Sequence, residues 1–238
     1  MAAPRTLSPE AVTTAARTEL AQHGAAGLSL RGTARRLGVS APALYHYFPS
    51  LDDLVTAVVR EILVDLRNVL DVAERDCPHA EPGEQVLAVC LAFRDWALSN
   101  PVDFQLAFEG PLPGYRPPQH ISDAAAREPF LGLFGIFARA HAAGAMRVPR
   151  EYADVPESIA AELTRWRAEA GLDLPDDLIC VIVSGWSRLH GLVALEMFGQ
   201  SPGIVGDAGS FFEYDLRAFA QGLRMPLRAP RPDEWINE

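Results

Sequence analysis

The sequence has 238 residues, 49% of them hydrophobic, with 3 cysteines, no lysine and a formal net charge of −10. That length and apolar content suit a folded chain with one large core or two modest ones, and no low-complexity run interrupts it. The longest uncharged apolar run, 178–187, is about half of what a bilayer span needs, Cys77, Cys90 and Cys180 make neither a disulfide framework nor a zinc spacing, and no apolar leader opens the chain, so a soluble cytoplasmic protein is expected.

The charge is unevenly placed. Residues 1–50 hold Arg5, Arg17, Arg31, Arg35 and Arg36 against Glu10 and Glu19, a net +3, which leaves −13 for the remainder. One end can approach a polyanion while the other is repelled, and that asymmetry orients docking on nucleic acid.

Residues 1–7 read as a tail from which Arg5 could reach a phosphate. Ser8-Pro9-Glu10 opens a helix with a cap, a proline in the first turn and an acid at the positive end of the dipole. Val12, Ala15, Ala16 and Leu20 form its inner stripe, and Gly24 ends it. Ser29 caps a second helix with Leu30, Ala34 and Leu37 on one face, and Gly38 closes it in the left-handed conformation. Val39 returns the chain to the core, and Ser40 caps a third helix with Pro42 in its first turn. Leu44 and Phe48 point inward, leaving Ala41, Ala43, Tyr45, His46 and Tyr47 for other faces. Two short helices joined by a tight turn and braced by a third make a helix-turn-helix, whose last helix suits a major groove.

Gly38-Val39-Ser40, the run Leu44-Tyr45-His46-Tyr47-Phe48 and Leu54 resemble the DNA-binding domain of the TetR family of transcriptional regulators, over residues 8–60. Two positions depart from the family pattern. Leu51 stands where the family usually carries a basic residue that helps hold a phosphate, and Thr33 stands where Ile or Leu is usual. Ser29, Arg31 and Thr33 are expected to clamp the DNA backbone at a helix N-terminus, where the dipole favours an anion. Tyr45 and Tyr47 are expected to position phosphates through their hydroxyls, and Ser40, Ala41, Ala43 and His46 to lie against base edges.

Ser50, Asp52 and Asp53 begin a helix that keeps apolar periodicity from Leu54 to Ala73. At 1.5 Å per residue it spans about 30 Å and joins the DNA-binding head to the rest of the chain, a natural lever for a signal. The expected division is a helix-turn-helix domain at 1–50, a helical ligand-binding and dimerisation domain at 51–230 and a C-terminal tail at 231–238. Past a loop at 77–83, helices are expected at 84–99, 101–109, 122–144, 153–170, 175–198 and 209–224, with 111–118 irregular by its prolines. Strand-like alternation is absent, so the fold class is all-α.

Phe93, Trp96, Phe104, Phe108, Phe130, Phe134 and Phe137 come from three successive helices and could line an apolar pocket for a small hydrophobic or amphipathic effector, with Arg94, Asp95 and His141 as polar groups. Ser184, Ser187, Gly191 and Ala194 recur at helical spacing, so a second backbone can come close along that stripe. The family resemblance implies that the last two helices pair with those of a second chain in a four-helix bundle, with Leu195, Phe212, Leu216 and Phe219 beside the stripe. Trp186, His190 and Gly191 further resemble the Trp-x-x-x-His-Gly element of one subgroup of these C-terminal domains. No G-x-S-x-G elbow, P-loop, dinucleotide fingerprint or H-E-x-x-H occurs, so no catalysis, cofactor or metal is expected, and His190 with Ser187 reads as structural. The resemblance implies a homodimeric repressor of a palindromic operator, released by its effector. The alternative is a ligand-binding or scaffold protein whose head no longer binds DNA.

Overall fold

The computed structural model describes residues 7–24, 27–109, 128–171, 173–200 and 203–228, and their regular structure is helical throughout. The tail through Thr6, the proline-rich stretch 111–118, the start of the expected helix at 122–144 and the tail at 231–238 lie outside the described residues.

The first helix, α1 (Pro9–His23), is capped as its sequence requires: the Ala11 amide donates to Ser8 Oγ at 3.2 Å, and Gly24 ends it at φ 68°. Helix α2 (Leu30–Leu37) begins with the Gly32 amide donating to Ser29 Oγ at 3.0 Å. It ends in a Schellman motif in which Val39 N–H reaches the Ala34 carbonyl and Gly38 N–H the Arg35 carbonyl, with Gly38 at φ 70°. Helix α3 (Ala41–Tyr45) is short, and Ser40 precedes it without a side-chain capping bond, contrary to expectation. Pro42 leaves the first turn no amide at its own position to cap, and the Ala43 amide is already held by the Ser40 carbonyl at 3.0 Å. A reciprocal cap follows. Asp53 N–H donates to Ser50 Oγ at 3.1 Å, Ser50 N–H and Oγ donate back to the Asp53 carboxylate, and α4 (Leu51–Arg75) runs on for 25 residues.

The described residues divide into two compact units, the first drawn from Met1–Asn68 and Ser99–Pro129, the second from Val69–Leu98 and Phe130–Glu238. This differs from a division at residue 50. The first part of α4 belongs with the head because Leu54, Val55, Val58 and Ile62 are sealed from solvent together with Val12, Ala16, Leu20 and Leu44. Each of the Leu, Val and Ile side chains contributes about 1.5–3 kcal/mol by leaving water. The α6 segment (Pro101–Phe104) also belongs to the first unit, and the helix expected at 101–109 changes there into a π turn, Gln105–Glu109.

The second unit contains α5 (Pro82–Ser99) up to Leu98, α7 (Leu131–Ala142) entered by a 3₁₀ turn at Glu128–Phe130, α8 (Glu157–Ala170), α9 (Asp176–Met197) and α10 (Ala208–Gly222). Arg94 of α5 forks onto Glu196 of α9 at 2.7 and 2.5 Å and lies 5.6 Å from the Phe212 ring centroid of α10, tying three helices. Helix α9 is long and apolar enough to cross a membrane by length and composition alone. Here Leu178, Ile179, Val181, Ile182, Leu189 and Val193 are buried in the unit and Arg188 pairs with Asp215 at 2.8 Å, while Val183, Ser187 and Leu195 are exposed.

Candidate nucleic-acid interface

The head places its predicted contact residues unequally. Ser29, Arg31, Ser40, Tyr45 and His46 are exposed, Tyr45 at 47%, while Ala41 and Ala43 are half-buried. Leu44 and Phe48 turn into the core, so Ser40, Tyr45 and His46 form the outer side of α3 and its exit. The turn between α2 and α3 is held by the Schellman bonds around Gly38, so the two helices present their outer sides as one rigid piece.

Two of the expected contacts are corrected. Thr33 is fully buried and its hydroxyl donates to the Ser29 carbonyl at 3.1 Å, one turn back, so it packs the head and does not face DNA. A hydroxyl is tolerated at that core position because the helix backbone satisfies it. Tyr47 is half-buried, and its hydroxyl donates to the Leu7 carbonyl at 3.0 Å, which engages its donor inside the protein.

The arginines divide as well. Arg17 is committed to Asp103 and Asp65, and Arg36 to Glu19 at 2.5 Å and to Gln22. Arg31 and Arg35 are exposed, have no ion-pair partner among the described residues, and stand four positions apart on one side of α2. Arg35 was not singled out by spacing or composition, because five arginines look alike until the tertiary partners of Arg17 and Arg36 are seen. The usable positive footprint of the described head is therefore the outer side of α2, next to α3.

The seven candidate pocket aromatics do not gather in one unit. Phe104 and Phe108 fall in the first, with ring centroids 5.3 Å apart. Phe93, Trp96, Phe130, Phe134 and Phe137 are buried in the second. Phe93 meets Phe130 edge-on at 5.5 Å, and both touch Trp186, a residue of α9 that spacing had marked only for its subgroup resemblance. Trp186 in turn lies 5.3 Å from the His190 ring. Phe137 and Trp186 help enclose a small apolar cavity of about 20 Å³ with Cys90, Gly185, Leu216 and Phe219. Burial pushes the Cys90 thiol up to about 12, so it behaves there as a neutral apolar group. A larger open groove, about 880 Å³, runs along Leu87, Ala88 and Leu91 with Glu84 and Arg217 on its walls.

The dimer residues named from the sequence also divide. Ser184, Gly191 and Ala194 are half-buried, Ser187 is exposed and Leu195 is 40% exposed. Phe212 and Leu216, at 1% and 5% exposure, are interior residues of the second unit and are corrected accordingly. Phe219 is half-buried and packs on Gly185, where an added Cβ would lie 2.9 Å from its ring. Phe212, Leu216 and Ala220 stand four positions apart and form the buried side of α10. Val183, Ser187, Gly191 and Leu195 follow one another at intervals of four along α9, with Phe198 at 47% and Tyr214 of α10 at 60% exposure also facing solvent.

Residues 12–58 match the family model for bacterial regulatory proteins of the tetR family, and residues 86–219 match the model for the tetracyclin repressor-like C-terminal domain. The chain is 33% identical over 199 residues to HTH-type transcriptional regulator Rv1816 of Mycobacterium tuberculosis (strain ATCC 25618 / H37Rv), covering 81% of this chain and 84% of that one. Among solved structures it resembles SCO4313 with TM-score 0.67 and 31% identity, covering 90% of this chain and 95% of the other. It also resembles a single-substitution variant of TetR from Acinetobacter baumannii AYE in complex with minocycline, with TM-score 0.51, 18% identity and coverage of 91% and 96%, a likeness of fold.

Proposed function

The chain belongs to the TetR family of bacterial regulatory proteins, DNA-binding transcriptional regulators with a helix-turn-helix, and on that footing we propose that it is a cytoplasmic homodimeric repressor of a palindromic operator. Each α3 enters a major groove with Ser40, Ala41, Ala43 and His46 toward base edges, while Ser29, Arg31, Arg35 and Tyr45 hold the flanking phosphates. The observation that carries this reading is the pair Arg31 and Arg35, without an ion-pair partner among the described residues, on the exposed side of α2 beside the exposed side of α3. Phosphate contacts fix register and base edges supply sequence, so a basic helix next to a short-side-chain helix is the division of labour that DNA recognition needs. Two half-sites about one helical turn apart, 34–36 Å, suit a two-fold pair of such heads.

The effector is a small hydrophobic or amphipathic molecule taken up by the second unit. Support comes from its aromatic cluster around Phe93, Phe130 and Trp186, and from the solved TetR relative that carries minocycline. The Trp186–His190 ring contact beside Gly191 supports the Trp-x-x-x-His-Gly subgroup assignment. Dimerisation uses the α9 stripe Val183, Ser187, Gly191 and Leu195, with Phe198 and Tyr214.

Selection of duplexes from a random pool, followed by titration at several salt concentrations, tests the DNA half. A palindromic consensus bound with a steep negative salt slope is expected. Recovery of no enriched sequence leaves the chain a ligand-binding protein with an inert head.

A further inference from the structure

Helix α8 of the second unit is held unlike its neighbours. On either side of it in the chain, α7 keeps Leu133, Phe134, Ile136 and Phe137 from solvent, and α9 keeps Leu178, Ile179, Val181 and Ile182. Within 157–168 of α8 no residue is buried: Ile159 is 44% exposed, and Ala160, Leu163, Trp166 and Arg167 are half-buried. A helix of 14 residues is marginal alone in water and persists in a protein through its packed face, which here is only half covered.

The side-chain contacts that α8 makes beyond itself sit at one end. The Trp166 ring leans on Phe134 with centroids 5.5 Å apart. Beside it, Arg167 Nη1 donates to the Leu174 carbonyl at 2.8 Å and lies 3.0 Å from Oδ1 of Asp176, the first residue of α9. That oxygen is shut off from water and has no hydrogen-bond partner among the described residues, so the guanidinium charge is what compensates it. Gly171 closes α8 in the left-handed conformation at φ 64°, and Arg167 spans that turn. At the other end Pro156 enters the helix with no side-chain capping bond. Under the anchored end lie the aromatics. Phe134 follows Phe130 by four positions, so the two stand on one side of the chain. Phe130 packs on Trp186 at 4.3 Å between centroids and on Phe93 at 5.5 Å. A partly exposed ion pair adds little net stability, and a segment with few buried apolar contacts opens at a free energy well below that of global unfolding.

We propose that α8 is the gate of the effector site: Trp166 and Arg167 hold it shut over the Phe130–Phe134 side of the aromatic cluster, and the effector passes when both let go. The inference deepens the effector reading above and rests on it. The gate closes over the free and the occupied site alike, so its strength sets how fast the effector comes and goes and leaves the affinity alone.

The test uses the full chain and, as probe, phenylnaphthylamine, a neutral apolar dye that brightens on leaving water. In hydrogen exchange read by mass spectrometry, the amides of α8 are expected to exchange about a hundredfold faster than those of α7 and α9 without denaturant. Stopped-flow mixing then follows the dye. In Arg167→Gln, which removes the charge that spans Gly171, association and dissociation are both expected to quicken about tenfold, the size of effect that one charged hydrogen bond supplies. Kd and the urea midpoint stay as in the wild type, which a merely structural role for Arg167 would not give. Trp166→Phe keeps a ring on Phe134 and moves the rates little. Should Arg167→Gln lower the urea midpoint, Trp166→Ala gives the same reading, with both rates raised. Amides of α8 that exchange as slowly as those of α7 and α9, as they would beneath a second copy of the chain, overturn the gate and leave the effector reading in place. Wild-type rates in folded Arg167→Gln and Trp166→Ala proteins that take up the dye do the same. A wild-type chain whose α8 exchanges fast but which takes up no dye saturably overturns the effector reading, and the gate with it.

Discussion

The Tyr47 hydroxyl donates to the Leu7 carbonyl at 3.0 Å, joining the end of the helix-turn-helix to the residue just before the cap of α1. Its neighbour Tyr45 is 47% exposed. The two tyrosines, alike in sequence context, therefore separate into a structural role and a surface role.

Phenylalanine at each position distinguishes them. Tyr47→Phe removes a half-buried hydrogen bond and is expected to lower stability by about 0.5–1.5 kcal/mol, with DNA affinity nearly unchanged. Tyr45→Phe is expected to leave the unfolding midpoint in place and weaken binding to every duplex alike, as removing a phosphate-positioning hydroxyl does. Urea unfolding and binding titrations on the same four proteins (wild type, both single variants and the double) check this. Equal loss of affinity in both single variants would show that the Leu7 bond exchanges with a DNA contact.

The arginines of the head are distinguished by salt dependence. Arg31→Ala and Arg35→Ala should each reduce the magnitude of the slope of log K against log salt by about 0.9 for every phosphate left unneutralised, hence by about twice that in a dimer. Arg36→Ala should leave the slope unchanged, because that side chain is already occupied by Glu19 and Gln22. Fluorescence anisotropy over a salt series measures the three slopes. A slope change in Arg36→Ala equal to that in Arg31→Ala would mean that DNA competes the arginine away from Glu19.

The helix-turn-helix was legible because its signals are local. Ser29 and Gly38 mark the ends of one helix through bonds within a few residues, and Leu44 and Phe48 define the inward side of the next by spacing alone. What spacing could not reveal depends on partners distant in sequence. Tyr47 looks free until Leu7, forty positions earlier, is brought to it, and Arg17 looks available for DNA until Asp103 arrives from α6, 86 positions later. Thr33 misled for a different reason: its hydroxyl suggests a surface, yet the Ser29 carbonyl one turn back satisfies it in the core. Phe104 and Phe108 belong to the first unit and the other five candidate aromatics to the second, a division that helical spacing along the chain does not announce.

Cys90 supplies a pH dependence with a definite sign. Its thiol is pushed up to about 12 by burial, while an unfolded chain ionises it near its ordinary value of about 8.5. The folded state thus holds the proton that the unfolded state releases. The contribution is fully present below the unfolded value and is lost as pH rises through it toward the folded one. Urea midpoints at pH 8 and pH 10 should therefore fall more in the wild type than in Cys90→Ala, which has no thiol to ionise. A parallel decline in both proteins would show that the thiolate is accommodated in the fold. Folded Cys90 should also resist thiol reagents at pH 8 until the protein opens.

The last two helices yield the clearest separation of interior from surface. Phe212 is 1% exposed inside the second unit, and Leu195 is 40% exposed on the stripe that includes Gly191, where an added Cβ would meet nothing within 4 Å. Phe212→Ala opens a cavity and should destabilise the chain by about 3–5 kcal/mol, whatever its association state. Leu195→Glu puts a charge on an open surface and should leave a monomer's stability nearly unaltered, since a solvated carboxylate there is deprived of no partner. If the stripe is the two-fold interface, each copy of Leu195→Glu carries its charge to the same self-complementary patch, and a charge buried there without a counter-ion is strongly unfavourable. Sedimentation should then show a dimer for the wild type and a folded monomer for Leu195→Glu, with the two-site advantage on DNA gone at the same time. A Leu195→Glu dimer as tight as the wild type would place the association surface elsewhere on the second unit and leave the exposed stripe without that role.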